Sequence, residues 1–272
     1  MDKLSESQQK AFDKYLKGEN VFITGPGGTG KSHFIKNVYE NAKKRGLKVS
    51  VTAMTGCAAL LLDCNAKTIH SWGSIGLGTD PIEVIMKRIV KYRKRDAWLN
   101  TDLLIIDEVS MLSCELFELL YRIAQDFRRN TKPFGNMQII FSGDFHQLPP
   151  ISKDSKFCFE SPFWNDCFEN QIVLCENFRQ KDDNTYQKVL NEIREGNITQ
   201  ESKDILRSCL NKKPNDQISP TLLYPVKRLA EQLNLFENIS LEGEEKVYKM
   251  KYIDTPNKKV EDELIKQKKN LI

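Results

Sequence analysis

The sequence has no apolar run long enough to cross a membrane, and its first ten residues, MDKLSESQQK, lack the apolar core of a signal peptide. Seven cysteines are scattered at positions 57, 64, 114, 158, 167, 175 and 209 with no C-x-x-C pair, and only three histidines accompany them. That spacing disfavours a zinc site and points to reduced thiols in an intracellular compartment, with nothing to separate nucleus, mitochondrion, cytoplasm or a viral compartment. A strong excess of one charge is also missing. A net charge of +4 over 272 residues permits a nucleic-acid partner without requiring one. There is no internal repeat and no low-complexity tract. What is there, 40% hydrophobic and 29% charged residues, fits an ordinary globular protein of one large domain or two smaller ones.

The chain is organised around VFITGPGGTGKSHFIKNV, residues 21–38. Val21, Phe22 and Ile23 form a short apolar run that reads as a buried parallel strand. Gly25 to Ser32 then match G-x-x-x-x-G-K-[ST], the phosphate-binding loop. Glycines at 25, 27, 28 and 30 let the backbone turn so that its N–H groups face phosphate oxygens. Lys31 can reach the β- and γ-phosphates, Ser32 can ligate Mg²⁺, and the helix beginning near Lys31 adds the positive end of its dipole. The nucleotide-contacting set is therefore Gly25, Pro26, Gly27, Gly28, Thr29, Gly30, Lys31, Ser32 and His33. The loop implies a nucleoside triphosphate with Mg²⁺, and not the use made of its energy.

In chain order, residues 4–17 read as an amphipathic helix with Ser5 as N-cap, and the helix after the loop runs to about Arg45, where Gly46 can end it. Residues 48–53 alternate into a second strand, and the glycine-rich stretch 66–78 reads as a shaped loop. Asp80, Pro81 and Glu83 look like a helix start with Asp80 as the cap. On that helix Ile82, Ile85, Met86 and Ile89 make a stripe, while Lys87, Arg88, Lys91, Arg93, Lys94 and Arg95 are either a basic groove wall or a solvated face. An apolar strand at 103–106 ends in Asp107-Glu108. It would bring Asp107 to the Mg²⁺ shell and Glu108 to the attacking water as base. A helix follows at 115–129, then a strand at 137–141 and the segment SGDFHQLPP. Gln147, just past that strand, could bond both a γ-phosphate and a water. A fifth strand at 172–174 precedes Asn177-Phe178-Arg179-Gln180. Five strands with intervening helices make an α/β, doubly wound parallel sheet. Later come helices near 186–194 and 201–210, a loop at 211–217, a strand at 221–224, a helix at 227–238, a strand at 247–253, and a charged, loosely ordered tail from Thr255.

Together these motifs resemble the PIF-type (petite integration frequency) DNA helicases of superfamily 1B, with RecD-like helicases as cousins. LSESQ at 4–8 resembles the adenine-contacting Q motif, which implicates Gln8. TAMTGCAALLL and TIHSWGSIGLG resemble motif Ia and its extension, which touch single-stranded DNA in that family and implicate Thr55, Gly56, His70 and Trp72. For Trp72, burial in the core is the competing reading. DEVSM is motif II, and GDFHQLPP is motif III with Gln147 as sensor. NFRQ is motif IV, which makes Arg179 an arginine finger. KPFGNMQ resembles the lead into motif III, with Asn136 where the family usually has a second glycine.

The resemblance implies a RecA-like P-loop domain 1A over 1–180, with a small 1B-like insertion around 63–80. Residues 181–272 would be the beginning of a second RecA-like domain with a mobile polar tail. Lys31, Glu108, Gln147 and Arg179 would be catalytic, and Ser32 and Asp107 would hold the metal. The implied function is an ATP-dependent helicase motor moving 5′ to 3′ on single-stranded DNA. Its partners would be single-stranded and forked duplex DNA, with no membrane role and an oligomeric state the sequence does not fix, a monomer being the simplest. Motifs V and VI have no counterpart, and Arg228 is the last arginine. That departure keeps open a nucleotide-gated DNA-binding module that does not unwind. A small-molecule P-loop kinase lacks any substrate signature.

Overall fold

The computed structural model describes residues 3–151, 154–169, 171–210, 221–241, 243 and 246. The expected loop at 211–217, strand at 247–253 and tail from Thr255 lie outside the described residues. The chain divides into two compact units, Met1–Leu210 and Asn211–Ile272.

The first unit opens with α1 (Glu6–Leu16), capped by Ser5 in a capping box that Gln8 completes. Then come β1 (Val21–Thr24), α2 (Lys31–Lys44), β2 (Val49–Ala53), α3 (Gly56–Leu62), β3 (Lys67–Thr68) and α4 (Ile69–Gly73). Next are α5 (Ile82–Lys91), α6 (Asp96–Asn100), β4 (Leu103–Asp107), α7 (Cys114–Arg128), β5 (Gln138–Ser142), α8 (Trp164–Cys167) and β6 (Gln171–Val173). The unit closes with α9 (Asn184–Glu195) and α10 (Gln200–Ser208). All strands run parallel in the order β3-β2-β4-β5-β1-β6. The five expected strands are present, and β3 is a sixth, two residues long and paired to β2.

Alternation along the strands sorts the core onto two faces. Val21, Ile23, Leu103, Ile105 and Ile140 pack with α1 and α2. Phe22, Leu104, Ile106, Ile139 and Phe141 pack with α4 to α8. Layers of helix on both faces of one parallel sheet give the RecA-like architecture. Residues 63–80, expected as a small insertion, contribute β3 to this sheet and Ile69, Trp72 and Ile75 to its core.

Two expected details differ. Asp80 does not cap α5. Pro81 holds that position without a side-chain bond, while the Asp80 carboxylate accepts from Arg88 Nη1 at 2.8 Å. Of the basic residues that follow, Lys87, Lys91, Arg93 and Lys94 are exposed, whereas Arg88 and Arg95 also donate to the Ile75 and Phe127 carbonyls. Four of the six are thus exposed, as either reading requires, and two are also committed to the fold.

The turn before β5 is left-handed through Phe134, Gly135 and Asn136, with φ of 48°, 63° and 62°. Asparagine is the non-glycine residue best suited to that conformation, so Asn136 keeps the turn that a glycine would make. Arg128, at the end of α7, secures it: Nε donates to the Gly135 carbonyl at 2.8 Å, and Nη1 lies 3.0–3.2 Å from the Trp98, Leu99 and Thr101 carbonyls.

The expected boundary at 180/181 moves to 210/211, because α9 is tied to the first unit through Gln187 and Arg194. Among the described residues of the second unit, α11 (Lys227–Ile239) is the one regular element. Residues 221–224, expected as a strand, are unpaired, and Leu223 is 91% exposed.

Candidate nucleotide and nucleic-acid site

Because every strand points the same way, the six segments that follow them meet at one sheet edge. The loop of residues 25–30 follows β1, Thr55 follows β2 and His70 follows β3. Asp107 ends β4, Gln147 lies past β5 and Arg179 past β6. This is the carboxyl edge, where open α/β sheets bind ligands.

The backbone at 25–30 has little room for side chains. Gly25 has φ of 146°, and a Cβ there would lie 2.3 Å from the Leu174 carbonyl oxygen. A Cβ on Gly28, at φ of 88°, would lie 2.8 Å from both Arg179 Cβ and Asn177 Oδ1. Gly30 caps α2 in the left-handed region with no side-chain bond, so the first N–H groups of a 14-residue helix stay free for an anion. Thr29 braces the loop by donating from Oγ1 to the Pro26 carbonyl at 2.8 Å. Lys31 Nζ donates to the Gly25 and Pro26 carbonyls at 2.6 and 3.0 Å. Burial lowers its pKa against the opposing pull of Asp144, Asp107 and Glu108.

The two acids are held in matching tension. Burial pushes the Asp107 carboxyl up, opposed by Ser142, the Glu108 amide and Lys31. Ser142 lies beside it without a complete hydrogen bond, and its buried Oγ has no partner. Burial and then the Asp107 charge raise Glu108 as well. Glu108 sits at φ of 57°, a strained conformation for a glutamate and one that recurs at functional sites. Lys31, Ser32, Glu108, Gln147 and Arg179 line one cavity of about 400 Å³ with Gly27, Gly28 and Gly30. Ser32, Asp107 and Glu108 line an adjoining cavity of about 430 Å³ that also reaches Thr55.

Gln8 is buried against the loop, with Nε2 at 3.4 and 3.2 Å from the Thr29 and Gly30 carbonyls. With Lys3, Gly30, His33 and Phe178 it lines a further cavity of about 360 Å³. Phe178 was not in the sequence-derived set, although it stands next to Arg179. Asn177 was missed too. It bonds the Gly27 carbonyl through Nδ2 and accepts the Arg179 and Gln180 amides at Oδ1. Asp144 and Arg194 were likewise missed. They form a bidentate pair with contacts of 2.9 and 2.8 Å, and their separation of 50 positions hides it from local reading.

The residues expected on a DNA path separate. Thr55 caps α3, accepting the Ala58 amide at 3.2 Å, and Gly56 is exposed with open space around it. His70 is half-buried, and burial lowers its pKa. Trp72 belongs to the core: its ring stands 4.7 Å from that of Trp98, and it is 8% exposed. The stacking surface expected of Trp72 is thus replaced by a core contact, because α4 turns that side chain inward onto α6.

The PIF1-like helicase family model matches residues 3–204. The chain belongs to the PIF1-like helicase family. It is 38% identical over 256 residues to the ATP-dependent DNA helicase PIF1 of Saccharomyces cerevisiae, covering 90% of this chain and 29% of that protein. The crystal structure of Pif1 helicase from Candida albicans superposes with a TM-score of 0.83 at 35% identity, covering 90% of this chain and 56% of that one. Pif1 helicase from Bacteroides in complex with ADP-AlF3 and ssDNA gives a TM-score of 0.77 at 28% identity, covering 90% and 59%. The chain therefore spans well under two thirds of the PIF1-like helicases it resembles. Among the described residues no helix is long and apolar enough to cross a membrane, and no group of three or more His, Cys, Asp or Glu side chains could hold a metal by itself. All seven cysteines are free.

Proposed function

We propose that this chain is the ATP-hydrolysing part of a DNA helicase motor that uses Mg²⁺ and moves 5′ to 3′ along single-stranded DNA. The observation that carries the reading is the convergence of Lys31, Ser32, Glu108, Gln147 and Arg179 on one cavity. Lys31 and both acids are each driven toward neutrality by burial. A phosphate chain with a divalent cation would add countercharge for all three beyond what they give one another.

Ser32 and Asp107 fit the cation, since Mg²⁺ needs few protein ligands, and the orphaned Ser142 hydroxyl suits the hydration around it. Bound there, Mg²⁺ would neutralise phosphate charge. Loop N–H groups and the α2 N-terminus hold the phosphates, and Lys31 turns from the Gly25 and Pro26 carbonyls onto them. Glu108 accepts the proton of the attacking water. Its raised pKa makes the carboxylate a stronger base toward that water. Gln147 orients the water, and Arg179 faces the negative charge that develops. Gln8, His33 and Phe178 border the cavity proposed for the base of ATP. Thr55, Gly56 and His70 are proposed to meet single-stranded DNA, and forked duplex is the proposed unwinding substrate. Residues beyond 210 would begin the second RecA-like domain.

A second reading is nucleotide-gated binding of single-stranded DNA without unwinding by this chain alone. It needs only the nucleotide cavity and the proposed strand contacts at Thr55, Gly56 and His70. DNA-stimulated ATPase and unwinding of a 5′-tailed duplex separate the two, with Lys31→Ala as control. Absence of DNA-stimulated hydrolysis would refute the motor reading. Robust unwinding by the monomer would refute the second.

A further inference from the structure

The helix α9 carries Gln187, Leu190, Asn191 and Arg194 on one stripe, at the i, i+3, i+4, i+7 spacing of a helix face. That stripe lines a cavity of about 230 Å³ whose other walls include Pro26, Gly27, Gln147 and Arg179. The two ends of the stripe are committed. Gln187 Nε2 donates to the carbonyl of Gln180, the residue after Arg179. Two turns later, roughly 10 Å along the axis, Arg194 grips Asp144 through Nε and Nη2 at 2.9 and 2.8 Å. Asp144 is 1% exposed. Its carboxylate also accepts the His146 amide at 3.2 Å and Gln147 Nε2 at 3.4 Å, and its carbonyl accepts the Gln147 amide at 2.8 Å. His146 Nδ1 lies 3.4 Å from the same carboxylate.

We propose that α9 is a strut between the two γ-phosphate-sensing segments, with Arg194 as the positioning residue that holds Gln147 through Asp144. Arg194 acts through Asp144. It fixes the carboxylate around which residues 144–147 fold. Without the guanidinium a buried carboxylate would lose its countercharge, and it would rotate or take a proton, releasing the two donors that set the Gln147 backbone and amide. Lysine offers one point charge where arginine offers a planar fork, so it would hold the turn only in part. The consequence for nucleotide rests on the ATPase reading above, while the strut itself does not.

The test uses the full chain as wild type, Arg194→Ala, Arg194→Lys and Gln147→Ala. Amide exchange at residues 146 and 147 is followed without nucleotide, and binding of a non-hydrolysable ATP analogue is compared with ADP. In Arg194→Ala the two amides should exchange about tenfold faster or more, with Arg194→Lys between. ATP-analogue affinity should fall about tenfold while ADP affinity stays within about twofold. Adding Arg194→Ala to Gln147→Ala should cost nothing further. Unchanged exchange at 146 and 147 in the alanine or lysine variant would overturn the proposal, and so would equal losses for both nucleotides. A wild-type chain that binds no nucleotide would refute the ATPase reading, and exchange would still decide the role of Arg194.

Discussion

Replacing Trp72 separates a core residue from a DNA-stacking one. The ring lies 4.7 Å from Trp98, among Ile69, Ile75 and Ile89, and is 8% exposed. Trp98 has a partner for its own N–H, the Gly73 carbonyl at 3.1 Å, whereas Trp72 Nε1 is buried with none. Trp72→Ala deletes the indole and leaves a cavity, a change of about 3–5 kcal/mol. At roughly 2–4 °C per kcal/mol for a unit of this size, melting should fall by roughly 6–20 °C. Trp72→Phe keeps an aromatic ring and removes the unpartnered donor, whose burial costs about 1–3 kcal/mol. The two changes offset, so that variant should lose less than about 2 kcal/mol. Thermal melts followed by circular dichroism give the stabilities, and anisotropy with a labelled oligonucleotide gives DNA affinity. Trp72→Phe should bind single strands within about twofold of wild type. A Trp72→Phe protein that melts normally yet loses about tenfold in affinity would place the ring on a base, since stacking contributes about 1–3 kcal/mol.

Lys31→Ala should abolish productive nucleotide binding and leave the fold intact; wild-type affinity in a calorimetric titration with an ATP analogue would remove the phosphate-site assignment. Glu108→Gln should retain binding and slow turnover by about 10²–10⁴-fold, and an unchanged steady-state rate would mean that Glu108 is not the base. Arg179→Ala should lower turnover far more than binding, by up to about 10³–10⁵-fold; equal losses would assign it a structural role. Burial lowers the His70 imidazole from its ordinary 6.5, so the unfolded chain takes the proton first and native stability is lost as pH falls through that value. His70→Gln should flatten that loss in melts between about pH 7.5 and 5, and an identical slope would show that His70 does not cause it.

Much of the site was legible because its parts are local. A glycine pattern between a strand and a helix, or an apolar strand ending in two acids, carries its geometry within a few residues. The RecA-like sheet followed from the same runs. What escaped depends on distant partners. The burial of Trp72 is decided by Trp98, and the work of Asp144 by Arg194, 50 positions away. Asp80 has the chemistry of a cap, yet Arg88 two turns on competes for it at 2.8 Å. Residues 221–224 are apolar enough for a strand, but no described strand pairs with them. The two-residue β3 is too short to show a period.

The four carbonyls around Arg128 tie the corner before β4 to the turn before β5 through one side chain. Thr101 stands two residues before β4, so the guanidinium helps fix the start of that strand beside the bonds between Lys48 and Asp102. Asp107 lies at the opposite end of β4, roughly 13 Å from Leu103 at strand rise. The acidic pair is thus braced in part from the far rim of the sheet, by a residue that lines neither nucleotide cavity. Corner and strand should open to solvent together, as one unit, and a variant that loosens the corner should blur the chemistry at the other end while sparing every group that performs it.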